Sequence, residues 1–213
     1  GEWVTVGVSY AGTLASFYRA LYPGKVVGAY ASSAPVIGKL DFVEYDRHVH
    51  DELGTGCMDS LDQLNQRLEK LIRQGGEKLE KIKKLFKGDY IYDNQDFAML
   101  TGDLIGTIVQ YGMKKSFCKS LQQANDKVKA FAQFNNKLYE MGMDTSKLTF
   151  GAARIKQAGP ENNSRPWLYM VCNEFGGWQV AAHDERKRAR IPQVDSQMYR
   201  DKCQEVFGTS IDS

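Results

Sequence analysis

No uninterrupted apolar run in the 213 residues approaches the roughly 18 that a membrane-spanning helix requires, so no membrane role is expected. Neither sign of charge is in excess: 28 basic and 26 acidic residues leave a formal net charge of +2. That balance lacks the basic footprint of a nucleic-acid-binding protein. Histidine is scarce, with His48, His50 and His183 the only three. The four cysteines, Cys57, Cys118, Cys172 and Cys203, form no C-x-x-C pair and have no histidine at metal-ligand spacing. No metal is therefore expected, and no motif asks for a cofactor. Repeats and low-complexity tracts are absent. With 42 % apolar and 25 % charged residues, the composition excludes a disordered tail, a collagen-like chain and a coiled coil.

What is present begins with Trp3-Val4-Thr5-Val6-Gly7-Val8, apolar and β-branched on successive positions. That is the pattern of a strand buried on both faces of a parallel sheet. A chain opening on Gly1-Glu2-Trp3-Val4 reads as a segment of something longer. After Ser9-Tyr10-Ala11-Gly12, the stretch from Thr13 to Tyr22 carries Leu14, Phe17, Tyr18 and Leu21 at helical spacing, and Pro23-Gly24 stops that helix. Residues 26–31 are a second short strand, ending at Ser32-Ser33-Ala34-Pro35. Strand, turn, helix and strand make one βαβ unit.

The character changes near residue 40. From there to about residue 150 the pattern is helical: Leu61, Leu64, Leu68, Leu71 and Ile72 share a face, and Leu79, Ile82, Leu85 and Phe86 resume it after Gly75-Gly76. Further helices are expected over 96–111 and 121–141. The lysine-rich stretch 76–87 reads as a solvated face. A segment from Arg165 to Gln179 is dense in aromatics, a charged loop runs from Asp184 to Arg190, and 196–207 reads as a helix closed by Gly208. One βαβ unit cannot complete a doubly wound sheet. The expected organisation is thus an α/β core fragment over 1–39, a mainly helical insertion over 40–160, and a segment over 161–213 returning toward the core.

The chemistry lies in Gly7-Val8-Ser9-Tyr10-Ala11-Gly12, at a strand-to-helix turn. A nucleophile elbow needs that context, because the turn lifts the serine hydroxyl above the sheet while small residues at −2 and +2 let the backbone cross. Gly7 and Ala11 hold those places, with alanine where glycine is usual. The helix after Ser9 points its N-terminal dipole at the site of a developing oxyanion, and the Tyr10 N–H would be one donor to it. The alternative is a serine in an ordinary βα loop. A catalytic serine needs a base, and His48, His50 and His183 all read as surface residues. His183, backed by Glu174 or Asp184, is the in-chain option; the stronger expectation puts acid and histidine beyond Ser213. The cysteine spacing fits two disulfides or four buried thiols. Asn162-Asn163-Ser164 is a glycosylation sequon.

These blocks resemble the prolyl carboxypeptidase and dipeptidyl peptidase II family of serine exopeptidases. The residues that carry the resemblance are Gly7–Gly12, Tyr18-Arg19-Ala20-Leu21-Tyr22-Pro23, residues 27–36 with their Ser32-Ser33-Ala34-Pro35-Val36 end, Trp167–Gly176 and Asp201–Gly208. Tyr45-Asp46-Arg47, Leu53-Gly54-Thr55 and Cys57 are similar to bacterial secreted tripeptidyl aminopeptidases, which share the mechanism and the preference for proline, so a carboxypeptidase and a dipeptidyl or tripeptidyl aminopeptidase both stay open. The resemblance implies an α/β-hydrolase core with a helical cap. It also implies a triad whose acid and histidine follow the Cys203–Gly208 segment, so that these residues alone are inactive. It further implies pairing of Cys57 with Cys203 and of Cys118 with Cys172, and a secreted or lysosomal/vacuolar protein (periplasmic or extracellular if bacterial). Peptides are the implied partners, and homodimerisation is left open.

On this reading Trp167, Tyr169, Phe175 and Trp178 could line a pocket for proline, whose flat apolar ring suits aromatic walls; plain core is the alternative. Glu174 could hold a substrate ammonium or pair structurally. Two other functions remain: an esterase or lipase using the same elbow, and a non-catalytic helical interaction module with a vestigial one.

Overall fold

The computed structural model describes residues 1–88, 90–156 and 163–208. The chain divides into two compact units, Gly1–Lys39 and Leu40–Ser213. In the first, strand β1 (Val4–Val8), helix α1 (Tyr10–Leu21) and strand β2 (Gly28–Ser32) form the βαβ unit. The strands pair in parallel, from Val4 opposite Gly28 to Val8 opposite Ser32. Parallel neighbours need a crossover, which α1 supplies.

Helix α1 covers one face of the strand pair through Gly12, Thr13 and Ala15, and the Thr5 hydroxyl donates to Ala15 O at 3.2 Å. The other face is open, with Val4, Val6 and Val8 at 56, 71 and 61 % exposure. The expectation of a strand buried on both faces thus fails for these residues, because side chains alternate along a strand and a single helix covers one side only. The same geometry reverses the expected face of α1. A backbone packed closely on strands takes small side chains, so Leu14, Phe17, Tyr18 and Leu21 all lie on the exposed side.

The second unit opens with strand β3 (Lys39–Asp41). Helices α2 (Val43–Leu53), α3 (Thr55–Gln74), α4 (Gly76–Lys83), α5 (Asn94–Gln110), α6 (Lys114–Gln123), α7 (Lys127–Glu140), α8 (Phe150–Ala153) and α9 (Ser164–Met170) follow. Strand β4 (Gly176–Trp178), hydrogen-bonded to β3, and helix α10 (Ser196–Phe207) end it. Leu61, Leu64 and Leu68 of α3 are fully buried, and each such side chain contributes roughly 1.5–3 kcal/mol relative to leaving it exposed. Around them Phe86 packs edge-on against Phe97 and Phe131, with ring centres 5.1 and 5.7 Å apart. The single helix expected over 121–141 is two. Asp126 ends the break, its carboxylate accepting from Lys129 N at 3.1 Å as the N-cap of α7. Most of the lysine-rich stretch is solvated, but Lys83 is buried and donates to Glu80 and Asn94, both at 2.8 Å. The segment expected to return from residue 161 is, over 163–208, built into this helical unit.

Two disulfides are present, and their pairing corrects the one the resemblance implied. Cys57 of α3 bonds Cys118 of α6, and Cys172 bonds Cys203 of α10, with Cα separations of 5.2 and 5.5 Å. Helices α3 and α6 pack side by side, which brings Cys57 and Cys118 into the narrow Cα range that a disulfide tolerates. Once Cys57 is used there, Cys203 bonds the cysteine two positions after α9.

Candidate active site

Ser9 sits between the last residue of β1 and the first of α1, at φ 57°, ψ −132°. Among the described residues only Ser9 and Ser33 are non-glycines with positive φ. Such a conformation costs on the order of 1–3 kcal/mol and persists only where the surroundings over-determine it. Here they do: Ser9 N donates to Ser32 O at 2.9 Å, while Ser9 O accepts from Gly12 N at 2.9 Å and Thr13 N at 3.2 Å. The crossing is tight. A Cβ on Gly7 would lie 2.1 Å from Ala11 O, and one on Gly12 would lie 2.9 Å from the Ala34 Cβ. Ala11 itself is exposed, which explains why alanine serves at +2. Ser9 is exposed at the crest, and Tyr10, the first residue of α1, is half-buried.

Residues 1–39 contain no histidine, and Glu2 is their only acid, so the unit that holds Ser9 carries no base–acid pair. All three histidines belong to the second unit. His50 Nδ1 lies 3.0 Å from the carboxylate of its neighbour Asp51, and His183 is exposed next to Asp184, whose carboxylate caps the turn at Arg186 N.

The aromatic block divides. Trp178 is fully buried, stacked on Tyr199 with ring centres 5.4 Å apart, and its indole N–H donates to Val171 O at 3.3 Å. It is core, and the expectation that it walls a pocket is corrected: a side chain with no exposed surface contacts no ligand. The others border the surface. Trp167 packs on Phe175 at 5.4 Å, Tyr169 is 47 % exposed, and Glu174 is exposed in the π-helical turn Val171–Phe175 that the Cys172–Cys203 bridge staples to α10. π-Turns of this kind recur at functional sites. A cavity of about 210 Å³ in this unit is lined instead by Ala182, His183, Arg188, Pro192 and Asp195, among others. Asn162 lies outside the described residues. Among the described residues no group of side chains is arranged to hold a metal ion, and no helix is long and apolar enough to cross a membrane.

Sequence reasoning missed one buried charge cluster. Arg190, 1 % exposed, donates to Asp103 at 3.1 Å and to Gln179 O at 2.6 Å, and pairs with Asp46 at 3.3 Å. Asp46 also accepts from the backbone N–H groups of Ala182, Ala189 and Arg190. Burial pushes both carboxyls above the usual carboxylate range while Arg190 pulls them down. Burial likewise pushes the nearby Tyr45 hydroxyl up to about 12. The cluster ties α2, α5 and the loop before α10 together. In the sequence Arg190 is one of four basic residues in a charged loop, and nothing there marks it as buried.

Comparison with known proteins finds serine proteases among the relatives of this chain. The chain is 26 % identical over 215 residues to the probable serine protease EDA2 of Arabidopsis thaliana, covering 98 % of this chain and 43 % of that protein. It is 27 % identical over 248 residues to the human thymus-specific serine protease (98 % of this chain, 46 % of that protein). A putative serine protease of Caenorhabditis elegans, K12H4.7, is 25 % identical over 248 residues (100 % and 47 %). The chain thus spans somewhat less than half the length of these curated relatives. The serine carboxypeptidase S28 profile matches residues 1–213 throughout, and the chain belongs to that family.

Proposed function

We propose that this chain carries the nucleophile of a serine peptidase built on an α/β-hydrolase core, and that Ser9 is that nucleophile. The observation that carries the reading is the Ser9 backbone: a non-glycine residue held at φ 57°, ψ −132°, exposed on a crossing too tight for a side chain at Gly7. An ordinary βα loop has no use for such a conformation, whereas an elbow requires it.

In the reaction Ser9 Oγ attacks the carbonyl carbon of a peptide bond and a general base takes the hydroxyl proton. Charge developing on the carbonyl oxygen is stabilised by the Tyr10 N–H and the N-terminus of α1. Collapse breaks the C–N bond, the amine leaves with the proton, and water hydrolyses the acyl ester. The resemblance puts the triad acid and histidine after Gly208. Residues 1–213 alone should then be inactive, since loss of the base costs several orders of magnitude in rate.

The finer reading is an exopeptidase acting next to proline, with Trp167, Tyr169, Phe175 and the exposed Glu174 as the substrate-facing side chains. Two disulfides fit an oxidising compartment, secreted or lysosomal, with Asn162 as a glycan acceptor.

The test is covalent labelling of the full-length protein by a fluorophosphonate, with Ser9→Ala as control. Labelling of the wild type and its loss in Ser9→Ala are expected; equal labelling of both overturns the assignment. Mass spectrometry of cleaved proline-containing peptides then shows which end is trimmed.

A further inference from the structure

The second strained non-glycine residue, Ser33 at φ 49°, follows the last residue of β2 as Ser9 follows the last of β1. Val8 and Ser32 are the last paired residues of the parallel ladder, so Ser9 and Ser33 stand in register one step beyond it. Both serines are exposed. The carboxyl ends of parallel strands are where α/β sheets place their ligands, and two backbone outliers adjacent there are not accounted for by the nucleophile alone.

What the bend at Ser33 does can be followed bond by bond. It comes directly after Ser32 O, which accepts the Ser9 N–H at 2.9 Å as the last bond of the ladder. It brings Ala34 against Gly12, where an added Cβ would find the Ala34 Cβ at 2.9 Å and Ser32 O at 3.2 Å. It also sets Pro35 O to accept the buried Thr13 hydroxyl at 3.1 Å, and Thr13 N in turn donates to Ser9 O at 3.2 Å. The Ser9 backbone is therefore held at its N–H by the residue before Ser33 and at its C=O through Thr13, which is itself tied to the residue two positions after Ser33. An extended backbone at Ser33 would carry Ala34 and Pro35 away from α1, releasing the Thr13–Pro35 tie and the packing of Ala34 on Gly12.

We propose that Ser33 is a positioning residue for Ser9: its left-handed backbone folds the Ser32–Pro35 turn into a buttress that keeps the nucleophile in its strained conformation. Serine at this position holds a bend that glycine would adopt as readily but in which it would be looser. A β-branched side chain disfavours the bend.

The inference rests on Ser9 being the nucleophile, so its test must separate the two. In the full-length protein the fluorophosphonate labelling rate of the folded fraction is measured beside kcat and KM on a cleaved peptide. Ser33→Val is expected to lower the labelling rate and kcat by about tenfold or more with KM little changed, because displacement of a reacting atom acts on the chemical step. Ser33→Gly should stay within about threefold of wild type. Should Ser33→Val fail to fold, Thr13→Val carries the test: it should slow labelling about three- to tenfold, and Thr13→Ser, which keeps the hydroxyl, should restore it. A purely structural turn would lower the melting temperature and leave the labelling rate of folded molecules unchanged, and that result overturns the positioning role. A wild-type protein not labelled at Ser9 overturns the nucleophile assignment and the positioning role together.

Discussion

Gly7→Ala tests whether close approach of strand and helix is what presents Ser9. The added Cβ would meet Ala11 O at 2.1 Å, Ala11 C at 2.3 Å and Gly12 N at 2.6 Å. All three are main-chain atoms, so no side chain can swing aside. Ordinary contact begins near 3.4 Å, and 3.4 minus 2.1 leaves 1.3 Å by which the end of β1 and the first turn of α1 must separate. Overpacking of that kind costs about 1–3 kcal/mol or more. Moving a nucleophile by about 1 Å costs on the order of a hundredfold in rate. The expected result in the full-length protein is thus a melting temperature lower by several degrees and fluorophosphonate labelling about 100-fold slower in the molecules that remain folded. Ala11→Gly is the control, since Ala11 is exposed and its side chain takes no part in the crossing; labelling there should stay within about threefold. A folded Gly7→Ala protein that labels at the wild-type rate would refute the elbow geometry.

Two further outcomes follow from the second unit. Proteolysis of the unreduced protein and mass mapping should yield one bridged pair containing Cys57 and Cys118 and another containing Cys172 and Cys203; a Cys57–Cys203 peptide would contradict the packing of α3 on α6. The bridges close loops of 61 and 31 residues, each worth about 4 kcal/mol in the chain-entropy model, so reduction should unfold this unit at markedly lower temperature. The Arg190 cluster sets a pH dependence. Burial raises the folded values of Asp46 and Asp103 above the ordinary carboxylate range, so their contribution to stability is present below that range and is lost as pH rises through the raised values. Asp93 and Glu205 act in the opposite sense, their carboxyls held low once Lys202 and Arg154 outweigh burial. Comparing Asp103→Asn with wild type isolates the first effect: the variant should lose part of the relative stability gained on acidification from neutral pH, and parallel melting-temperature curves would count against it.

The strand, turn and helix around Ser9 were legible in the sequence because each of their requirements is local. A β-branched run, small residues two positions either side of a serine, and an apolar helical repeat lie within 22 consecutive residues, and β1, Ser9 and α1 follow that pattern. The leucines of α3 were legible for the same reason. Sequence could say that α1 is a helix but not which face it buries, because Gly12 and Ala15 give no signal in a hydrophobic repeat although close packing selects them. Other features depend on contacts between residues far apart. Arg190 meets Asp46 across 144 positions and Asp103 across 87, and nothing in the charged loop from Asp184 onward sets it apart from Arg186, which is solvated. Trp178 and Trp167 lie in one aromatic block, yet one is core and the other borders the surface. Cysteine pairing belongs to the same class, since motif order carries no distances.

The contrast has a physical consequence for the site. Strain at Ser9 of about 1–3 kcal/mol is opposed by four hydrogen bonds, from Ser9 N to Ser32 O, from Gly12 N and Thr13 N to Ser9 O, and from the Thr13 hydroxyl to Pro35 O. At about 0.5–1.5 kcal/mol net each, they supply about 2–6 kcal/mol. The two quantities are of similar size, so loss of one of these ties measurably weakens the hold on the strained conformation. All four bonds lie between residues 9 and 35. Reactivity of Ser9 toward a small phosphonate should therefore respond to changes at Gly7, Thr13 and Ser33, and both that reaction and the turnover of a peptide also require a base to take the hydroxyl proton, which residues 1–39 do not contain.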